Sequence, residues 1–273
     1  MKYLIQFLIY INIVLIISCS PQNISKYAEE ELSKLDSVDR DNQIYTVGTK
    51  LLFDYYVIDK NQDTTKVLLL NDMPSLIASS WVLVNPDTVT NTDFLIDKIH
   101  VEIKDESLYK NSPYEPQTQI QFDYLIPSKK SIITTWTGII EDKNRIWWHP
   151  PRSAYFFSTE FSPFPEIRFP LKKGTKWTGK IKAGYNTEAK EWIGNDYTEK
   201  TIDIHSTYEI TDKTKIQTAF GELKCYVVEA TGTSQVTEAK LTAYFHPTIG
   251  FVKWDYHNLD GTRLVISLIS REE

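Results

Sequence analysis

Residues 220–268 read FGELKCYVVEATGTSQVTEAKLTAYFHPTIGFVKWDYHNLDGTRLVISL, and this stretch decides the fold. Residues 223–231 form a β-branched and aromatic run that Gly232 ends. In residues 235–245, Thr237, Ala239, Leu241, Ala243 and Phe245 alternate against Glu238, Lys240 and Thr242, the period of a strand with one dry face. His246-Pro247-Thr248-Ile249-Gly250 is turn chemistry, after which Val252, Trp254 and Tyr256 share a face opposite Lys253, Asp255 and His257. Asp260-Gly261 suits a two-residue hairpin turn with both central positions at positive φ. Four consecutive antiparallel strands are predicted, a meander onto which the earlier strands pack.

Outward from this stretch the same language repeats. Residues 201–211 carry Ile202, Ile204, Tyr208 and Ile210 on one face and Asp203, His205, Thr207 and Glu209 on the other. Further strands are predicted over residues 44–47, 51–58, 66–70, 79–84, 95–103, 118–126, 131–140, 145–149 and 177–183, with polar or proline-bearing turns between them. Outside residues 21–41, no stretch longer than about 12 residues holds a 3.6-residue period. The fold class is therefore all-β or nearly so. A sheet this large must curl to bury its apolar face, so a half-open barrel or a sandwich is expected.

The first 18 residues stand apart. Met1-Lys2 precedes an apolar run over residues 3–17, too short and too weakly flanked for a membrane span and consistent with an export signal. Ile16-Ile17-Ser18-Cys19 resembles the bacterial lipobox, which implies that the Cys19 thiol is diacylated and becomes the first residue of the mature chain. Two chains plus an N-acyl group anchor a protein firmly where one would not. The resemblance implies an outer-membrane destination, because Ser20 stands where an inner-membrane retention signal would carry aspartate. No acidic stretch follows Cys19, which favours the periplasmic face over the cell surface. The organisation read is a leader over residues 1–18, a lipid anchor and polar tether over 19–41, and one β-rich domain over 42–273.

The net charge of −6 becomes −7 once Lys2 leaves, which argues against nucleic acid and against an electrostatic grip on anionic lipid. The chain holds 16 Tyr, 12 Phe and 7 Trp but only 10 Gly, a composition suited to strands built on aromatic side chains. With Cys19 acylated, Cys225 has no disulfide partner and reads as a buried, inert thiol in an apolar strand. The five histidines, at 100, 149, 205, 246 and 257, form no HxH or HExxH pattern, and no phosphate loop, dinucleotide fingerprint or GxSxG elbow occurs. No metal, cofactor or catalytic residue is expected, and an enzyme is the less favoured reading.

The most distinctive segment is Ile146-Trp147-Trp148-His149-Pro150-Pro151-Arg152, followed by Phe161-Ser162-Pro163-Phe164-Pro165-Glu166. Proline holds its predecessor extended, so His149 and Arg152 are projected from fixed places. One reading makes Trp147, Trp148, His149 and Arg152 a binding rim, with the indoles as platforms for a sugar or lipid and Arg152 for an anion. The other has the prolines cross a barrel end, one Trp in the core, and Arg152 paired with Glu160 or Glu166. Alternation puts Trp147 and Trp148 on opposite faces, which favours the second. Glu160 and Glu166 as an acid/base pair for glycoside hydrolysis would need a separation that sequence proximity does not give.

These segments resemble outer-membrane lipoproteins of Bacteroidota. The Cys225 strand and the hairpin over residues 242–256 are similar to envelope proteins related in fold to the periplasmic lipoprotein carriers, over residues 170–270. That resemblance implies an open barrel with an apolar concavity. Trp177, Tyr226, Val252, Trp254 and Tyr256 are the candidate lining, for an apolar or lipid-like ligand. A carbohydrate-binding component, using exposed aromatics such as Trp147, Trp148 or Trp192, and a hydrolase are the alternatives. Asp36-Ser37-Val38, Asp63-Thr64-Thr65 and Asp87-Thr88-Val89 resemble the short acceptor motif of protein O-glycosylation in Bacteroidota.

Overall fold

The structure is a computed structural model, and it describes residues 42–70, 80–108, 117–184, 187–193, 200–235 and 238–273. The leader, Cys19, the tether and the triplet at Asp36 lie outside the described residues.

The strands are β1 (Lys50–Ile58), β2 (Thr64–Leu69), β3 (Trp81–Val84), β4 (Lys98–Leu108), β5 (Gln117–Leu125), β6 (Ser131–Glu141), β7 (Arg145–Trp148), β8 (Glu166–Arg168), β9 (Lys176–Gly184), β10 (Thr201–Thr218), β11 (Gly221–Thr233), β12 (Glu238–His246), β13 (Gly250–His257) and β14 (Arg263–Glu272). They form one antiparallel sheet in the order β8-β7-β6-β5-β4-β1-β14-β13-β12-β11-β10-β9, with β2 and β3 branching from β1. The fold is the expected large curled sheet. The four-strand meander is present as β11 to β14, and β14 joins it to β1. Alternation sets the inside: Ile202, Ile204, Tyr208 and Ile210 of β10 are buried, as are Val252, Trp254 and Tyr256 of β13. Register shifts in β1, β10 and β12 mark bulges, the device that lets a long sheet bend.

The two sheet ends, β8 and β9, are not joined by a ladder. Side chains bridge them instead. Tyr208 Oη of β10 donates to the Phe164 carbonyl at 3.1 Å, and the Gly179 backbone of β9 lies against the Glu166 carboxylate and the Tyr208 ring.

Each mouth of the barrel is stopped by its own chain. At one, residues 44–47 were expected as a strand but lie in a run of bends and turns over residues 42–49, which Gly48 at φ 89° turns toward β1. Their backbone groups bond to side chains rather than to a ladder: Glu141 accepts the Ile44 and Tyr45 amides at 2.8 and 2.9 Å, and Arg271 donates to the Ile44 and Ile249 carbonyls. At the other, residues 149–165 cross the opening and include a 3-10 helix (Ala154–Phe161) whose eight residues are all buried. Phe156 packs on Tyr55 and Tyr124, and Tyr155 bonds to Thr262 and Asn258. A short helix α1 (Thr187–Ile193) covers Phe157, Phe161, Ile202 and Ile204 from outside.

The turn after β13 corrects an expectation. Gly261 alone takes positive φ, at 87°, while Asn258 and Thr262 pair across Leu259-Asp260-Gly261. The connection is a three-residue loop with glycine at its left-handed position, and the Asp260 carboxylate accepts the Thr262 amide.

Candidate functional site

The five residues expected to line a concavity converge on the barrel interior. Trp254 and Tyr256 project two residues apart from β13, and Trp254 stacks on Phe53 of β1 at 5.3 Å and meets Trp148 of β7 edge-on at the same separation. Trp177 of β9 stacks on Tyr208 of β10, at 5.2 Å and 5°. Tyr226 sits near one edge of this interior with the Lys213 ammonium 4.7 Å over its ring. The rings stand at contact distances, so the interior around them is filled by aromatic side chains.

Their polar atoms are another matter. The indole nitrogens of Trp148, Trp177 and Trp254 and the hydroxyl of Tyr256 are buried without a hydrogen-bond partner. Burial pushes the Tyr256 phenol far above its ordinary pKa, and the nearby Tyr208 adds to the effect. These groups are donors held in a low-dielectric interior with no acceptor of their own.

The proposed rim divides as alternation requires. Trp148 is fully buried against Tyr45, Phe53, Phe122 and Trp254, so it is core rather than rim. Trp147, on the opposite face of β7, and His149, one residue past the strand, pack on Phe164. His149 Nε2 lies 3.3 Å from Glu160 Oε1, at ion-pair distance but outside hydrogen-bond geometry, while its Nδ1 is 3.0 Å from the Pro150 carbonyl. Burial lowers the His149 pKa; Glu160 opposes that shift and Arg152 reinforces it.

Arg152 does not pair with Glu160 or Glu166. The pairing of β6 with β7 ends at Ile139↔Trp148, and the Trp136 carbonyl of β6 receives the Arg152 guanidinium at 3.0 Å instead. Glu166 is held by Arg168 at 2.7 Å and Arg145 at 4.0 Å, so the two carboxylates serve different partners. Trp192 stacks on Trp81 and meets Tyr155 edge-on rather than standing free. Cys225 is buried, and burial raises its thiol pKa to about 12.

The exposed aromatic that sequence reasoning passed over is Trp136, 45 % accessible on the outer face of the sheet. The signal was present: Ile133, Thr135, Thr137 and Ile139 are one face of β6, which leaves Trp136 on the other. Two open depressions lie elsewhere, over β9 to β11. One of about 520 Å³ is lined by Thr178, Lys180, His205 and Thr207, and one of about 270 Å³ by Asp203, Ser234 and Gln235. Their lining side chains carry hydroxyl, amide, imidazole or charged groups, with no large apolar side chain such as a lipid-binding lining would use. Among the described residues no group of three or more His, Cys, Asp or Glu side chains is placed to hold a metal.

No family model matches the chain, and no curated protein matches it. Among solved structures, an exported protein with YmcC-like fold from Bacteroides fragilis is similar at 8% identity and a TM-score of 0.46, over 84% of this chain and 97% of that one. A lipoprotein from Parabacteroides distasonis is similar at 10% identity and a TM-score of 0.44, over 83% and 96% of the two chains. The hypothetical lipoprotein YmcC from Escherichia coli is similar at 11% identity and a TM-score of 0.35, over 92% and 97%.

Proposed function

We propose that this is an envelope lipoprotein, anchored at the periplasmic face of the outer membrane through acylated Cys19, whose barrel takes an apolar, lipid-like ligand and performs no chemistry on it. The observation that carries the reading is the set of buried unpartnered donors at Trp148, Trp177, Trp254 and Tyr256. A buried polar group left without a partner costs about 1–3 kcal/mol, and an indole N–H can only donate. An ester, amide or headgroup oxygen of a lipid supplies the missing acceptor, while its chain replaces contacts among the aromatic rings. Entry is at the barrel mouth that residues 149–165 cross, by displacement of that segment rather than into a standing cavity.

The test uses the full chain purified in detergent from a lipid-containing host. Native mass spectrometry should find co-purified lipid, and cis-parinaric acid should bind and be displaced by it. Tyr256→Phe should weaken probe binding several-fold without lowering the melting temperature, because the hydroxyl it removes has no partner in the ligand-free fold. Absence of both lipid and probe binding overturns the reading.

A further inference from the structure

The outer face of β4, β5 and β6 carries an exposed aromatic ring on the side of the sheet away from the interior. Of the seven tryptophans, Trp136 alone is exposed. It stands in the middle of β6 with 45 % of its surface left to solvent. Strand register builds rows around it. Glu102, Gln121 and Trp136 lie side by side, and His100, Asp123 and Thr134 form the next row. These neighbours are polar and half-buried, and Asp123 gathers them: it accepts Thr134 Oγ1 at 2.5 Å and Gln121 Nε2 at 2.9 Å, with His100 Nδ1 at 3.4 Å. Burial alone would raise the Asp123 pKa, but these bonds carry it down to about 2. On the far side of the indole, Arg152 is exposed and tied to the Trp136 carbonyl at 3.0 Å.

The geometry points to a saccharide-binding platform centred on Trp136, with Gln121, Glu102 and Arg152 as its polar border. A pyranose ring presents an apolar C–H face that covers an exposed indole and hydroxyls around its edge that need planar donors and acceptors. This face supplies both: one ring, flanked by an amide and a carboxylate on one side and a guanidinium on the other. An apolar protein partner would want further apolar side chains around the ring, and the register places polar ones there. The border is held before any ligand arrives, Gln121 by Asp123, Glu102 by Lys104 at 2.6 Å and Arg152 by the Trp136 carbonyl, which limits the entropy lost on binding.

The experiment is a glycan microarray probed with the full chain in detergent, followed by calorimetric titration with maltohexaose, cellohexaose, mannohexaose, chitohexaose and sialyllactose. Binding of at least one is expected. Trp136→Ala should weaken it about tenfold or more, and Arg152→Gln and Gln121→Ala by smaller factors. Leu70→Ala, at an exposed apolar residue just past the end of β2, should leave it unchanged, and unaltered circular dichroism separates lost binding from lost folding. The proposal is overturned if no glycan binds at millimolar concentration, or if binding survives Trp136→Ala. It is also overturned if Trp136→Ala only abolishes self-association, because the face would then be a protein contact.

Discussion

Gly250 and Tyr45 are packed so closely that a Cβ on the glycine would lie 2.0 Å from the tyrosine hydroxyl, which itself accepts the Phe251 amide at 2.7 Å. Gly250 also takes φ 92°, a conformation that costs any other residue. Gly250→Ala should therefore destabilise the fold by about 2–4 kcal/mol, combining strain with overpacking. Tyr45→Phe, which strands one buried amide, should cost about 1–3 kcal/mol. Urea unfolding of the two variants checks the order.

The neighbouring contact yields a second expectation. Glu141 carries both the Ile44 and Tyr45 amides on one buried carboxylate. Glu141→Ala should cost about 3–5 kcal/mol, and Glu141→Gln, which keeps one acceptor oxygen, about half of that. Faster amide exchange at residues 44 and 45, with β10 and β11 unaffected, would locate the loss at this barrel mouth.

Acid should loosen the protein through two histidines. Burial holds His149 below the ordinary histidine range, and burial with repulsion from Lys213 brings His246 down to about 4. Both titrate near 6.5 when unfolded, so below about pH 6.5 the unfolded chain binds protons that the folded chain refuses. Stability is therefore full above about pH 6.5 and falls as pH drops toward 4, with a ceiling on the order of 3 kcal/mol for His246. His246→Gln should flatten this part of a stability profile measured between about pH 4.5 and 7.5. An unchanged slope would remove His246 from the account.

Cys225 should be silent in the folded state. With its thiol pKa at about 12, it should not react with iodoacetamide until denaturant is added. Cys225→Ser should cost about 1–2 kcal/mol, since the hydroxyl enters an apolar site. Rapid labelling of the native chain would contradict the buried placement.

Anchoring is checked by Triton X-114 partition. The mature chain should enter the detergent phase, and Cys19→Ala should accumulate as unprocessed precursor. A soluble, unacylated mature protein would remove the membrane anchor from the proposed function.

Much of the fold was legible because a strand with one dry face writes itself as a period of two. The alternation of Ile202, Ile204, Tyr208 and Ile210 names the buried face of β10, and that of Val252, Trp254 and Tyr256 names the buried face of β13. The same period separates Trp148 from Trp147. It is silent where the backbone leaves the ladder. Residues 44–47 look like a strand, yet Glu141, almost a hundred positions away, satisfies their amides. Residues 154–161 have no strand or helix period, and their burial follows from lying across a barrel mouth.

The sequence by itself determined the antiparallel meander, the inward face of most strands, the buried thiol and the two turn glycines at 250 and 261, because each depends on neighbours a few residues apart. Only the tertiary structure decided that the aromatic interior is packed rather than open, that four buried donors within it lack acceptors, and that Arg152 serves the Trp136 carbonyl instead of a carboxylate. Those outcomes depend on which strands become neighbours when the sheet closes. Closure brings together residues from opposite ends of the chain, and no local period records it.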